Sequence, residues 1–519
     1  MYPNYRIILI LLVHCCALQY AYADVPDSLD QADRARYALD PVATYERVYI
    51  REQPIWIRNW KDNFNQLSLR TTYDKGRYIP AQGSTRTRAY YFDTEGKTTW
   101  RKVQLYGRFA YTKQYEDSTR LRHQTRINES APLYFGSLRY NHYERSVYQL
   151  QAALQKDLLA ENLPLTLGLN YRVGEHFSNN DPRGAINDFQ LNLLAALGYR
   201  SPAWQYHATF RYGYGRERVQ VAYKNEKYTE NVEDPLYVNW YNNGYGNAIQ
   251  KTNAINYNDD MKRFGAGAHV AYNANAANTW QADVDWLHEQ QQFKQYNESP
   301  LTYALFNTYN EDRFTTSVFW KHHPSSNTDF NWNIHLEMID GHDDHPTLGV
   351  SNYLYRKESY GSTWRLNKNR WHYLAAIDYH YLLQQDGNTS AMSEVSQLQF
   401  QLGFGRNWVL GTGGQQVQVQ LRGGYHLPLS GEFAFNNINE SYFVNHVIYY
   451  DYLYRYSPAT ETGASFTYLF PTGNKGMNWS IGLSADYILR GTLPDYTFQP
   501  LSIPGKNRLS SFLQVNVYF

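Results

Sequence analysis

Apolar and polar residues alternate along this chain with a period of two, over runs of about ten residues or more. In "PLTLGLNYRV" the apolar set is Leu165, Leu167, Leu169, Tyr171 and Val173. In "DFQLNLLAALGY" it is Phe189, Leu191, Leu193, Ala195, Leu197 and Tyr199. In "WQYHATFRYGY" Trp204, Tyr206, Ala208, Phe210, Tyr212 and Tyr214 share one parity, and Gln205, His207, Thr209, Arg211 and Gly213 the other. "NWSIGLSADYIL" repeats the pattern from Trp479 to Leu489. A period of two predicts long strands with two unlike faces. Strands of soluble domains usually run about five or six residues, whereas a tilted strand needs roughly 9–11 to cross a bilayer.

Aromatic residues stand at the ends of these apolar sets. Trp204 and Tyr214 bracket one strand, and Phe189 and Tyr199 another. Half-buried rings with wet polar tips belong at the headgroup level of a membrane. Short turns fall at 200–203, 273–278, 323–327, 366–370, 410–414 and 470–476. Longer polar stretches fall between them, at 174–187, 221–261, 296–309, 340–354, 384–393, 428–458 and 490–507. Short turns on one side and long loops on the other predict an all-β fold. It is a transmembrane antiparallel β-barrel over residues 63–519, with roughly 18 strands and 16 or 20 as alternatives. The count is open at 114–144 and at 428–458, where "YFVNHVIYYDYLYRY" reads as two more strands or as a tyrosine-rich loop.

Composition fits this reading. Tyrosine occurs 50 times, tryptophan 13 and phenylalanine 23, yet the mean hydropathy is only -0.65, so apolar residues are dispersed among polar ones. Lys and Arg number 49 against 48 Asp and Glu, which gives no support to a nucleic-acid partner. At the N-terminus, Arg6, the apolar run "IILILLVHCCAL" and Ala21-Tyr22-Ala23 have the order of a secretory signal over residues 1–23. Cys15 and Cys16 are the only cysteines and lie within it, so thiol chemistry and disulfides are excluded from the mature chain. Residues 24–62 form a separate segment, either a periplasmic appendage or an inward plug. There Ser28 and Gln31 have capping-box spacing, which predicts a short helix, and Ile55, Trp56, Ile57 and Trp60 cluster.

The chain ends "RLSSFLQVNVYF", with Ser511, Leu513, Val515, Val517 and Phe519 on one parity. This resembles the C-terminal signature of Gram-negative outer-membrane proteins, a terminal aromatic on an alternating strand. The tyrosine- and asparagine-rich style resembles barrels of the Bacteroidota, many of which belong to families of unknown function. The resemblance implies a place in the cell outer membrane, contact with its lipid, and Phe519 as a signal read by the assembly machinery. By analogy it also implies a TonB-dependent nutrient transporter or a surface lipoprotein as a partner. No plug domain of transporter size precedes residue 63, so the chain does not itself resemble a TonB-dependent receptor.

Candidate chemistry lies on the parity that would face the lumen: Lys102, Arg108, His207, Arg211, His269, Asp283, Asp285, Arg313, His335, Glu337, His372, Asp378 and His380. Hairpin register brings Arg313 near Glu337, and His269 near Asp283 or Asp285. Such residues make either a polar path with a binding site, or a lumen held together by neutralising pairs. "GHDDHP" places His342 and His345 around two aspartates, which reads as a divalent-cation site or as ordinary turn chemistry. The loops 221–261 and 428–458 are rich in Tyr and Asn, suited to adaptable contacts or to a lid over the barrel mouth. G-x-S-x-G and H-E-x-x-H are absent, so neither catalysis nor a cofactor is expected. The leading expectation is passage or handling of a small solute, as an accessory of a nutrient transporter or alone. The alternatives are a non-transporting surface-binding or structural barrel, and a barrel enzyme.

The loop pattern sets an orientation that can be checked. Epitope tags placed within 221–261 should be labelled on intact cells, and tags within 470–476 only after the outer membrane is breached. The reverse labelling would invert the topology.

Overall fold

The computed structural model describes residue 39 and residues 41–519, apart from 61–62, 124, 126–127, 159–161, 226–227, 229–234, 252–253, 276, 299–300, 326, 411–413, 437–442, 472–476, 496–497 and 501. In chain order the first strands are β1 (Phe64–Gly76), β2 (Arg86–Trp100), β3 (Val103–Thr119), β4 (Leu133–Ser137), β5 (Asn141–Leu158), β6 (Leu163–Ser178), β7 (Arg183–Arg200) and β8 (Trp204–Ala222). They are followed by β9 (Asn239–Asn243), β10 (Ala248–Lys251), β11 (Ile255–Asn275), β12 (Asn278–Glu298), β13 (Leu301–Ser325) and β14 (Thr328–Asp344). The last are β15 (Tyr353–Lys368), β16 (Trp371–Asp386), β17 (Ala391–Leu410), β18 (Gln415–Ala434), β19 (Ala459–Pro471), β20 (Asn478–Arg490) and β21 (Asn507–Tyr518). Eighteen of them form one antiparallel sheet, each beside its neighbours in the chain, and β4, β9 and β10 form a separate three-stranded sheet.

The large sheet closes on itself. β1 pairs with β21 from Gln66 opposite Tyr518 to Gly76 opposite Arg508. Phe519 and Asn65 then exchange two backbone hydrogen bonds, both of 3.1 Å. Closure leaves no strand edge with unpaired peptide groups, which a hydrocarbon layer would not tolerate.

Alternation decides which face each residue takes. On β8, Phe210 is 58 % exposed on the outside while Thr209 is 5 % exposed and His207 4 %. Leu193, Leu197, Phe264, Trp286, Leu402 and Leu483 are likewise exposed outward. No water-soluble wall has a reason to present this band; a bilayer requires it.

The strands are longer than a bilayer needs. β13 has 25 residues, and β11 and β12 have 21 each, against the roughly 9–11 that cross. Outward on β12, Trp280, Val284 and Trp286 give way to His288, Gln290 and Gln292. Four of the stretches expected to be loops are therefore about half or more wall, 340–354 being the least so. β12 and β13 run to Glu298 and from Leu301, β6 and β7 to Ser178 and from Arg183, β14 and β15 to Asp344 and from Tyr353, and β16 and β17 to Asp386 and from Ala391. Their polarity marks emergence from hydrocarbon rather than the end of a strand. Cross-strand pairs such as Arg356–Asp340 (2.7 Å) keep the ladder intact there. At the opposite end, β2 and β3 are joined by Arg101 and Lys102, both with positive φ (47° and 68°), a tight hairpin turn. Lys102 thus sits exposed in this turn and not on the lumen wall; Arg108 does face inward, bonded to Asp93 at 2.8 Å.

Two inserted bodies fill the lumen. At the short-turn end lies a plug: helix α1 (Pro41–Glu52) followed by a 3₁₀ turn, Pro54–Asn59. Proline suits the first position of the turn because its missing N–H would find no partner there. Ile55, Trp56 and Ile57 are essentially fully buried, against small inward residues of the wall, Ala153, Ala196 and Ala271, and against Phe319. The expected helix around Ser28 and Gln31 lies outside the described residues.

At the long-loop end lies a cap. It combines the β4–β9–β10 sheet with the segment Val444–Ile448, a π-helical turn that runs into helix α2 (Tyr449–Arg455). The stretch 428–458 is thus the end of β18 followed by this helical segment, not two more strands. Phe443, Val444, Val447, Tyr449 and Leu453 pack with Tyr134, Phe135, Tyr257, Phe293 and Tyr309 in one apolar cluster. The cap is tight at Gly136, where a side chain would run into the backbone of Leu121.

Three outcomes follow from this architecture. Deleting Phe519, or Phe519→Asp, removes or weakens the seam and should lower the amount of folded, heat-modifiable barrel; an unchanged yield would refute the role. Phe210→Arg should cost about 2–4 kcal/mol if it lies at mid-depth, seen as a lower urea midpoint, whereas a polar residue at the neighbouring inward position should be tolerated. The third concerns the cap, where His123 and His446 are pushed down by burial, to about 3 and about 4. Unfolded histidine titrates near 6.5, so the packed neutral rings lend full stability above about pH 6.5 and lose it as pH falls toward 4. Hydrogen exchange within 443–456 should therefore show less protection at about pH 5 than at about pH 7.5 once corrected for intrinsic rates; equal protection would contradict this.

Candidate functional site

The plug is held by a carboxylate of the wall. Asp283 on β12 accepts hydrogen bonds from the Tyr49 hydroxyl and, at 3.0 Å, from Trp56 Nε1 of the plug. From the wall it meets His269 Nδ1 at 2.7 Å and Ser317 Oγ at 3.4 Å. His269 lies opposite both His207 and Asp283 in the sheet register. Its other nitrogen, Nε2, is 3.0 Å from Thr209 Oγ1 and 3.6 Å from Asp285. Asp285 pairs with Arg211 at 2.8 Å and accepts from Gln53 Nε2 at 2.7 Å, while Arg211 donates to Gln53 Oε1 at 3.0 Å. The His207 ring stands edge-on to Trp56, 5.1 Å between centroids. Five of the candidates, His207, Arg211, His269, Asp283 and Asp285, are thus one contiguous group on β8, β11 and β12, under the plug. Gly267 makes room for it, since a side chain there would collide with Asp285.

Further anchors ring the plug. Arg51 pairs with Glu95 at 2.6 Å and Glu46 with Lys321 at 2.7 Å. Gln155 donates to the Ile55 carbonyl at 2.8 Å, Arg58 pairs with Asp157, and Arg365 covers the Tyr45 ring at 3.9 Å. The sequence reading missed Glu95, Asp157 and Lys321 as partners, because their counterparts are far away in the chain. A trace of the plug's footprint is legible in the small inward residues Ala153, Gly168, Ala196 and Ala271.

The other candidates separate into smaller groups. Arg313 stands opposite Ile339 in the register, not Glu337. It pairs with Glu311 at 3.1 Å, and Glu337 pairs with Lys357 at 2.7 Å. His335 is 3.4 Å from Asp378, and His380 Nδ1 is 3.1 Å from Ser359 Oγ. His372 bonds Asn367 at 2.7 Å and Gln418 at 3.3 Å. His342 lies 3.8 Å from Asp344. His345 Nδ1 accepts from the backbone of Thr347 and Leu348 (both 3.3 Å), which is turn chemistry. Among the described residues no three histidines or carboxylates converge as a metal site.

Between plug and cap lies a chamber of about 590 Å³. Its floor is Arg51, Glu52 and Pro54 of the plug, and its ceiling Asn128, Glu129 and Ser130 of the cap. Five cations line it: Arg51, Arg211, Arg263, Arg313 and Lys357. Five carboxylates answer them: Glu52, Glu129, Glu289, Glu311 and Glu337. The wall from β5 to β7 supplies amides instead, Gln151, Asn170, Gln190 and Asn192. The cap is fastened above the chamber by Asn128, which donates to Glu289 (3.2 Å) and Glu311 (3.0 Å), and by the Tyr353 hydroxyl on the Ser130 carbonyl (2.9 Å). A second cavity of about 280 Å³ lies within the cap, and Glu129 and Tyr355 line both spaces.

Comparison with known proteins adds a family and no activity. No curated protein matches the sequence. Solved barrels align with it at low identity. The ferric yersiniabactin uptake receptor FyuA from Yersinia pestis aligns over 88 % of this chain and 80 % of that one, at 9 % identity and a TM-score of 0.42. OccAB2 from Acinetobacter baumannii aligns over 88 % and 98 %, at 10 % identity and 0.33. A FadL homologue from Pseudomonas aeruginosa aligns over 90 % and 92 %, at 9 % identity and 0.32. Likenesses of this degree bear no functional argument. A match over residues 54–519 takes in the whole barrel and the 3₁₀ turn of the plug: the chain belongs to the family of unknown function DUF6850.

Proposed function

We propose that this protein is a gated barrel of the outer membrane that handles or passes a small polar solute through the chamber between plug and cap. The observation that carries the reading is the chamber itself. A barrel serving only as a scaffold or a surface binder has no need of a polar space of about 590 Å³ between two inserted bodies. The apolar outer band and the closed sheet support a wall seated in a bilayer. The short turns face the periplasm and the cap faces outward, so the cavity in the cap leads from the cell surface toward the chamber past Glu129 and Tyr355. The plug, anchored on Asp283, forms the periplasmic gate. Because that gate is made of hydrogen bonds and ion pairs rather than of covalent links, it can yield without unfolding the wall.

The test is conductance in a planar bilayer. The intact protein should conduct little, and deletion of residues 39–60 should open a pore. Asp283→Ala takes away the acceptor shared by Tyr49 and Trp56; such hydrogen bonds contribute about 0.5–1.5 kcal/mol each, so this variant should open more often than the parent with the wall intact by heat modifiability. A folded barrel that stays silent after the deletion would contradict passage and leave a surface-binding role.

A further inference from the structure

We infer that the chamber takes a neutral, polyhydroxylated solute of the size of a small saccharide; the inference rests on the gated-chamber reading and names its cargo. Charge is the first consideration. Every lining cation is already engaged: Arg51 with Glu95, Arg211 with Asp285, Arg263 with Glu289, Arg313 with Glu311 and Lys357 with Glu337. An anionic solute would have to break one of these pairs inside the wall, where an unpaired charge is costly. No cation is left over to attract it.

The uncharged polar groups that line the space are the second consideration, and they are amides. Gln151 and Asn170 line the chamber with side chains that can both donate and accept. Asn192 gives its Oδ1 to Arg263 at 3.3 Å, which leaves its amide N–H groups toward the space. These donors call for neutral acceptor oxygens, which a simple ammonium solute does not carry. On the floor, Glu52 lines the chamber as an acceptor. A hydroxyl both donates and accepts, so a solute with several hydroxyls satisfies donors on the wall and the carboxylate on the floor together. Leu194, Leu287 and Tyr355 add apolar surface for the C–H faces of such a molecule. The ligand class follows from this match: the amides and the carboxylate that open onto the space exchange water partners for the hydroxyls of the solute.

The experiment uses the purified full-length barrel in detergent and isothermal titration with glucose, maltose and raffinose, with glutamate and lysine as charged comparators. Saccharide of at least one size should bind, glutamate and lysine should not, and binding should change little with salt. Asn170→Ala with Asn192→Ala should weaken it roughly tenfold, the loss expected for one or two hydrogen bonds, while heat modifiability stays that of the parent. Tighter binding of either charged comparator, binding of no saccharide, or saccharide binding indifferent to the double substitution would overturn the assignment. Swelling of proteoliposomes in the same sugars separates the two claims. Binding without passage removes the transport reading and leaves the ligand class standing; passage that favours charged solutes removes the ligand class and leaves transport.

Discussion

A sheet that crosses a bilayer must hydrogen-bond all of its peptide groups, and here eighteen strands do so by joining β21 back to β1. A closed sheet of about eight strands is filled by its own side chains, but diameter grows with strand number. At eighteen, the wall cannot fill its lumen. The plug, the cap and the chamber between them are answers to that one geometric fact. Against the plug the wall sets small residues and polar anchors beside Phe319 and Tyr106, and against the cap it sets Tyr257, Phe293 and Tyr309 beside aliphatic residues such as Val219 and Val221.

The two inserted bodies are held by different physics. The cap is a true apolar core, with Val444, Tyr449 and Leu453 at or near zero exposure and many aromatic contacts. Such packing is non-directional and is lost only when the whole body moves. The plug also packs an apolar patch around Trp56 against the wall, and to it adds directional links through Asp283, Asp285 and Glu95. Directional polar contacts of this kind have discrete alternatives, such as water or each other. On the proposed reading, this larger polar share makes the plug the movable gate and the cap the fixed vestibule.

Much of the wall was legible from alternation alone, because the side-chain period of a strand is set by backbone geometry and half of this wall meets hydrocarbon. The pairing of His269 with Asp283 was legible too, since β11 and β12 form one hairpin whose register follows from a short turn. For Arg313 and Glu337 the register is diagonal: Ile339 stands opposite Arg313 and Thr315 opposite Glu337, so the two charges share a face two residues out of step and each takes a closer partner. Strand ends were misread as loops at 296–309, where polar residues continue the ladder above the apolar band. Contacts such as Tyr49 to Asp283, 234 residues apart, leave no local signal at all. The chamber shares this limit: Glu52, Asn192 and Glu311 acquire a common role only once the sheet is closed.

On the proposed reading, the plug closes the chamber toward the short-turn end in the resting protein. A cysteine at Asn192, which lines the chamber, measures this directly through its reaction rate with a bulky, charged thiol reagent. The account predicts slow modification of Asn192→Cys in the otherwise intact, folded barrel and fast modification once residues 39–60 are removed. Fast modification with the plug in place would contradict it.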